Sequence, residues 1–232
     1  MRKVHEILFS PLNNLKRESF IINYSSLSSS DLRYLNKKIL SDKLSAIFVE
    51  YLTKNNLDST IIKKDLNQLI LQAQRFQIQN LQIIKEVIYL NNLFKEQDLN
   101  PIFLKGVAVI NEYKDLSLRQ MVDIDILFKE DEIFKAYDIL KKNDFTELRF
   151  ESLSKKNLIE FSKNVHHFPE LIGNSNISIE LHHRITSHND FEECPITKGI
   201  ISDSIKIDFF GDEINIPSLE WVITHQLIHF SS

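Results

Sequence analysis

At Asn100-Pro101 the spacing of apolar residues changes from the period of a helix to that of a strand, which commits the chain to a helical part followed by a sheet-bearing part. Before the switch, Leu66, Ile70, Ala73, Leu81, Ile84 and Ile88 recur at helical intervals and mark one face of a long helix or a pair of helices. The polar stretch "SSLSSSD" stands ahead of that region as a capping loop. Pro101 has no N–H to continue a helix and pushes Asn100 out of the helical region. Beyond it the pattern predicts a short buried strand in "PIFLKG", a helix from about Val107 to Tyr113, a strand in "VDIDILF", and a helix over about Asp131–Lys142. Ile133, Ala136, Tyr137 and Leu140 share one side of that helix. Further strands are expected near Phe145–Phe150, His166–Leu171, Ile177–Arg184 and Ile205–Phe210. Pro217-Ser218 then opens a last helix with Leu219, Val222, Ile223 and Leu227 on a common face. The expected class is α+β, with a helical N-terminal region over residues 1–100 and a mixed β-sheet flanked by helices over residues 101–232. No stretch is rich enough in Gly or Pro to be a flexible linker, so the boundary near residue 100 can be a change of layer within one body.

A chain of 232 residues, 43% hydrophobic, can bury one substantial core or a core with a smaller helical appendage. Its apolar runs fall far short of the ~20 residues that cross a bilayer. "MRKVHEILFSPLNN" lacks the continuous apolar segment of a secretory signal, so no membrane association and a cytoplasmic location are expected. The single cysteine, Cys194, allows neither an internal disulfide framework nor a cysteine-rich zinc site. Residues 1–100 carry a net charge of +4 and the remainder −8, and the only runs of basic residues are pairs such as Lys63-Lys64, Lys141-Lys142 and Lys155-Lys156. That distribution has no basic stripe, and so no strong nucleic-acid signature.

Within "VDIDILF" side chains alternate between faces, so Asp123 and Asp125 share one face while Val122, Ile124, Ile126 and Phe128 take the other. Two carboxylates ~7 Å apart along a strand raise each other's pKa unless a cation sits between them, and a divalent metal is the usual partner. The same alternation also occurs on half-exposed strands with no ligand, so the motif alone leaves both readings open. In "NISIELHHRI", Ser178, Glu180 and His182 share a face, and Glu180 can project from a neighbouring strand toward the aspartates. Three carboxylates on adjacent strands suit Mg²⁺ or Mn²⁺. Upstream, "FLKGVAVINEY" runs from a strand through Gly106 into a helix, a way to bring backbone N–H groups close to a phosphate. Lys105 and Arg119 supply flanking cations for a triphosphate.

The histidines admit a separate reading. His166-His167 and His182-His183 fall in two predicted strands, and His225 and His229 have helical i, i+4 spacing, but no cysteine partner or helical metalloprotease motif accompanies them. His182 is expected to line the site or steady Glu180, and Cys194 to be a small packed side chain.

The stretch "FLKGVAVINEYKDLSLRQMVDIDILF" with "HHFPELIGNSNISIELHHRI" resembles the uncharacterised nucleotidyltransferase family of bacteria, within the DNA polymerase β-like superfamily, over about residues 80–230. The matching positions are Leu104, Lys105, Gly106, Arg119, Asp123, Asp125, Glu180, Leu181 and His182. The resemblance implies a nucleotidyltransferase-like mixed sheet and a metal-dependent transfer of a nucleoside monophosphate from a nucleoside triphosphate to a hydroxyl of a small molecule or protein. Asp123, Asp125 and Glu180 would be the catalytic metal ligands, for Mg²⁺ or Mn²⁺, and Lys105, Gly106, Arg119 and His182 would bind the nucleotide. Where the superfamily carries Gly or Ser after the helix-opening glycine this chain has Val107, which Lys105 is expected to offset. Members of the family are also expected to continue past the last helix, with a consequence for binding of the base or acceptor.

Two other classes stay open: a catalytically silent nucleotide- or peptide-binding scaffold of the same fold, and a helical protein-interaction module. If the aspartates exist to hold metal, mutual repulsion is expected to make Asp125→Asn as stable as the parent, or slightly more so, when no metal is added.

Overall fold

The computed structural model describes residues 2–13, 15–149, 155–186 and 195–231. It divides into two compact units, one of residues 1–78 with 115–120 and the other of residues 79–114 with 121–232.

The first unit is helical. Helices Arg2–Leu8, Ser10–Asn13, Arg17–Ser25, Ser29–Ser41 and Ser45–Lys54 precede a long helix that begins at Lys63. Ser28 caps the fourth reciprocally: its Oγ accepts from the Asp31 backbone N–H, and its own N–H donates to the Asp31 carboxylate. This cap lies within the polar stretch expected to hold one. Phe20 is fully buried and packs on Tyr24, Phe48 and Tyr51. Around these rings gather Val4, Ile7, Leu35, Ile39, Leu52 and Leu69.

The long helix, Lys63–Lys95, runs through the boundary between the units. Its buried positions include Leu69, Ala73, Phe76, Asn80, Ile83, Val87, Leu90 and Phe94, alternately four and three residues apart, with Ile84 and Asn91 widening the buried face. That is a heptad seam, with Leu69, Phe76, Ile83 and Leu90 at one position and Ala73, Asn80, Val87 and Phe94 at the other. Leu81, expected on the buried face, is instead 52% exposed, because the 3.5-residue period selects Asn80 and Ile83 beside it.

The second unit is built on one mixed sheet. Its strands are β1 (Ile102–Phe103), β2 (Asp123–Leu127), β3 (Thr146–Glu147), β4 (Leu171–Ile172), β5 (Ser178–His182), β6 (Ile205–Phe209) and β7 (Asp212–Ile216), in the order β3-β4-β5-β2-β1-β7-β6. Pairs β2–β5 and β1–β7 are parallel and the other four antiparallel. With its flanking helices the unit gives the α+β architecture expected. Phe94 meets Phe128 edge to face at 4.9 Å, and the buried Phe168 packs on Phe134 and Tyr137.

Several expected elements differ in extent. The helix after Gly106 is short, Lys105–Val109, and continues as a 3₁₀ turn over Ile110–Glu112. Most of His166–Leu171 is irregular, held beside β5 by a bridge between His167 and His182 and by the Phe168 N–H on the Leu181 carbonyl, and only Leu171 enters a strand. Strand β7 was not expected. It returns from β6 through the two-residue turn Phe210-Gly211, both with positive φ (53° and 95°), the twist a tight hairpin needs. A phenylalanine in that left-handed position hides the turn from a sequence reading. In the last helix, Leu219–Ser231, the expected shared face is turned outward: Leu219, Ile223 and Leu227 are exposed, while His225 is buried and Trp221 packs against the cluster around Ile200. Phe150 and Cys194 lie outside the described residues.

The heptad seam has a direct test in urea unfolding followed through Trp221, the single tryptophan. Phe94→Ala should cost about 3–5 kcal/mol, and Leu81→Gln should change stability by no more than about 0.5 kcal/mol. Comparable losses for both would be incompatible with this seam.

Candidate active site

The parallel pairing of β2 and β5 sets Asp123 opposite Ser178, Asp125 opposite Glu180 and Leu127 opposite His182. Register partners in a parallel pair point to the same side of the sheet, so Asp123, Asp125, Glu180 and His182 share one face. The intervening Ile124, Ile126, Ile179 and Leu181 are fully buried on the other. Apolar burial on one face thus fixes where the acidic residues project.

The turn after β1 brings a cation to them. Leu104 N–H donates to the Asp125 carbonyl at 3.0 Å, and Lys105 then adopts a left-handed φ of 46° as the chain enters the next helix. That conformation costs a lysine roughly 1–2 kcal/mol. It places Lys105 Nζ 2.6 Å from Asp125 Oδ1 and 3.9 Å from Glu180 Oε2. From β5, His182 Nε2 lies 2.9 Å from the same Asp125 oxygen and 3.4 Å from Glu180 Oε2. Two carboxylates are therefore held between two nitrogen donors.

The charges follow from this geometry. Burial would raise the Asp125 pKa, but hydrogen bonds and positive charge from His182 and Lys105 hold it well below the usual carboxylate range. Glu180 is also lowered, first by its hydrogen bond to His182. Burial opposes protonation of His182 and Lys105, yet their contacts with Asp125 and Glu180 outweigh it and raise both. Asp123 is different: burial and the neighbouring Asp125 charge push it up. Its charge is the poorly compensated one.

Two histidines form a wall beside His182, with ring centroids 5.4 Å (His166) and 5.5 Å (His167) away. His166 is pushed down to about 3 by burial and then by the neighbouring His182 and His167, so it is neutral at pH 7. His183 is pushed down to about 4 by burial and by Arg184. His167 Nδ1 lies 2.7 Å from the Phe168 carbonyl, which assigns the ring proton to that nitrogen. The wall was not foreseen as part of the site, since its residues come together through an irregular segment with no period to read.

The other predicted residues lie as follows. A Cβ at Gly106 would fall 2.9 Å from Met121 Cγ, so the glycine is needed first for that close approach. Val107 is buried, and its side chain belongs to the core. Arg119 follows a 3₁₀ turn, Leu116–Leu118, in the segment grouped with the helical unit. Among the described residues, one group could hold a metal: Asp125, Glu180 and His182, whose ligand atoms all lie within 4.8 Å of one another. The two carboxylate oxygens fit a divalent cation, with Asp123 on the same face, while His182 can add its nitrogen only after giving up the proton it shares with them. The grouping differs from the expected trio of Asp123, Asp125 and Glu180 by exchanging Asp123 for His182.

Residues 29–232 match the sequence profile of a family described as uncharacterised nucleotidyltransferase. The chain belongs to that family. The match reaches further toward the N-terminus than the motif-bearing stretch from about residue 80, and membership supports nucleotidyl transfer as the reaction class of this family member. Among solved structures, a candidate nucleotidyltransferase from Thermotoga maritima is similar at 16% identity over 64% of this chain and 85% of that chain, with a TM-score of 0.44. No curated protein matches this nucleotidyltransferase-family chain. No helix among its described residues is long and apolar enough to cross a membrane.

The expectation that Asp125→Asn leaves stability unchanged does not survive this geometry, because Lys105 and His182 already compensate the Asp125 charge. Losing that buried carboxylate strands two positive groups. It should cost roughly 2–4 kcal/mol at neutral pH without added metal. Asp125 contributes stability above its unfolded value of about 4 and loses it as pH falls through its depressed folded value, so the difference from the parent should close in strong acid. His182, raised, contributes below about 6.5 and loses its share as pH climbs through its folded value, which narrows the difference on the alkaline side. Urea melts across pH measure both trends, and a variant as stable as the parent at pH 7 would refute the ion-pair account.

Proposed function

We propose that this protein is a metal-dependent nucleotidyltransferase that moves a nucleoside monophosphate from a nucleoside triphosphate to a hydroxyl of a small molecule or protein. One observation carries the reading: in a chain of this family, Asp123, Asp125 and Glu180 project from adjacent parallel strands onto one face. Asp125 and Glu180, with His182 behind them and Asp123 beside them, are the groups that would hold Mg²⁺ or Mn²⁺. Such an ion, when bound, neutralises phosphate charge and lowers the pKa of an acceptor hydroxyl. Asp123, whose proton affinity is raised, is suited to take the proton from that hydroxyl. His182, fixed between Asp125 and Glu180, holds both carboxylates in orientation. Lys105, beside the carboxylates, is the cation for the phosphates, and the neutral His166 adds a wall without adding charge.

The extensive pairing of Asp125 favours one other reading, a scaffold that binds a nucleotide and does not transfer it. Pyrophosphate release separates the two. Incubation with each labelled nucleoside triphosphate, Mg²⁺ or Mn²⁺ and a cell lysate should yield a labelled product and pyrophosphate. Asp123→Asn should lower that transfer by about 100-fold or more. The same substitution should leave the protein at least as stable as the parent, because the charge removed is one that burial and Asp125 already oppose. Nucleotide bound without pyrophosphate release would leave the scaffold standing in place of the enzyme.

A further inference from the structure

We infer that Lys105 is an internal counter-ion standing in the divalent-cation position, so that the metal enters the site together with the triphosphate, which draws the lysine away. The inference rests on the nucleotidyltransferase reading of this site and adds an order of binding to it.

Lys105 Nζ contacts Asp125 Oδ1 at 2.6 Å and reaches Glu180 Oε2 at 3.9 Å. These belong to register partners on neighbouring strands, the two carboxylates of the closest ligand group. An Mg²⁺ bound ~2.1 Å from Asp125 Oδ1 would have an ammonium on the same oxygen. Occupancy by both is strongly disfavoured: the lysine charge repels the ion and uses the lone pairs it needs.

Two cations face these carboxylates, and burial decides which one moves. The His182 side chain is 2% exposed, its ring lying against those of His166 and His167. The Lys105 side chain is 22% exposed and ends a flexible four-carbon stem. Only Lys105 can swing toward solvent and a phosphate without opening the core. The triphosphate of the proposed reaction gives it a phosphate to meet, and the structure gives it a carboxylate to leave.

The consequence is positive coupling between nucleotide and metal, and linkage requires the effect to be reciprocal. A neutral residue at this position should remove the block. Lys105→Asn suits the test because asparagine tolerates the left-handed backbone found there. Lys105→Gln, which keeps more of the stem, is a second variant, and circular dichroism verifies folding of both.

The probe is Mn²⁺ titrated alone and with a non-hydrolysable nucleoside triphosphate analogue, read by electron paramagnetic resonance. The variants should bind Mn²⁺ alone at least about tenfold more tightly than the parent, a coupling of ordinary size. With the analogue present the parent should close most of that gap. Folded variants that bind Mn²⁺ alone no better than the parent, while the parent binds Mn²⁺ with the analogue, would overturn the counter-ion role and leave the nucleotidyltransferase reading intact. Absence of Mn²⁺ binding by every protein, with or without the analogue, would overturn both.

Discussion

A carboxylate in the middle of a buried strand must find positive partners, and the residues around Asp125 are arranged to supply them. Lys105 reaches it because the Leu104 N–H is bonded to the Asp125 carbonyl, which joins the turn after β1 to β2 at this one residue. His182 reaches it because β5 runs parallel to β2 with Glu180 in register. A slip of one residue in that register would turn Glu180 and His182 away and leave the aspartate buried without compensation. Apolar packing and charge pairing therefore demand the same strand alignment, and two independent terms fix the site.

Asp123 and Asp125 are separated by one isoleucine, yet they have opposite electrostatic situations. Asp125 is deeply buried and paired, while Asp123 is half-buried and opposed by its neighbour. The repulsion argument drawn from the sequence thus applies to one aspartate and fails for the other. Spacing along a strand gives the distance between two carboxylates but says nothing of the cations that arrive from elsewhere. Lys105 lies twenty residues from Asp125, and no local period connects them.

The same distinction explains what could be read of the fold. Alternation in "VDIDILF" and "ISIELHH" is a local property, and the faces it assigns are those seen. The cap at Ser28 and the helix over Ile133–Lys142 are local as well, and they were legible. Leu81 was placed on the buried face of the long helix because Asn80 and Asn91, both fully buried, look like surface residues until their partners are known. The last helix misled in the opposite sense, since an apolar spacing names a face without saying whether anything lies on it. His166 and His167 join the site through an irregular segment, where sequence periodicity has no purchase.

Asn80 and Asn91 also act on a larger scale than their own hydrogen bonds. Asn80 Oδ1 accepts from the Met121 N–H at 3.1 Å, and Asn91 Nδ2 donates to the Glu213 carbonyl at 3.1 Å. A helix whose buried positions repeat every seven residues presents nearly the same surface after sliding by two turns, so apolar packing alone distinguishes such placements weakly. Each asparagine marks one position along the axis, because a slide would carry its amide from a waiting backbone group into hydrocarbon. Between them they convert a repetitive surface into an addressed one, much as a keyed shaft admits a single depth of insertion.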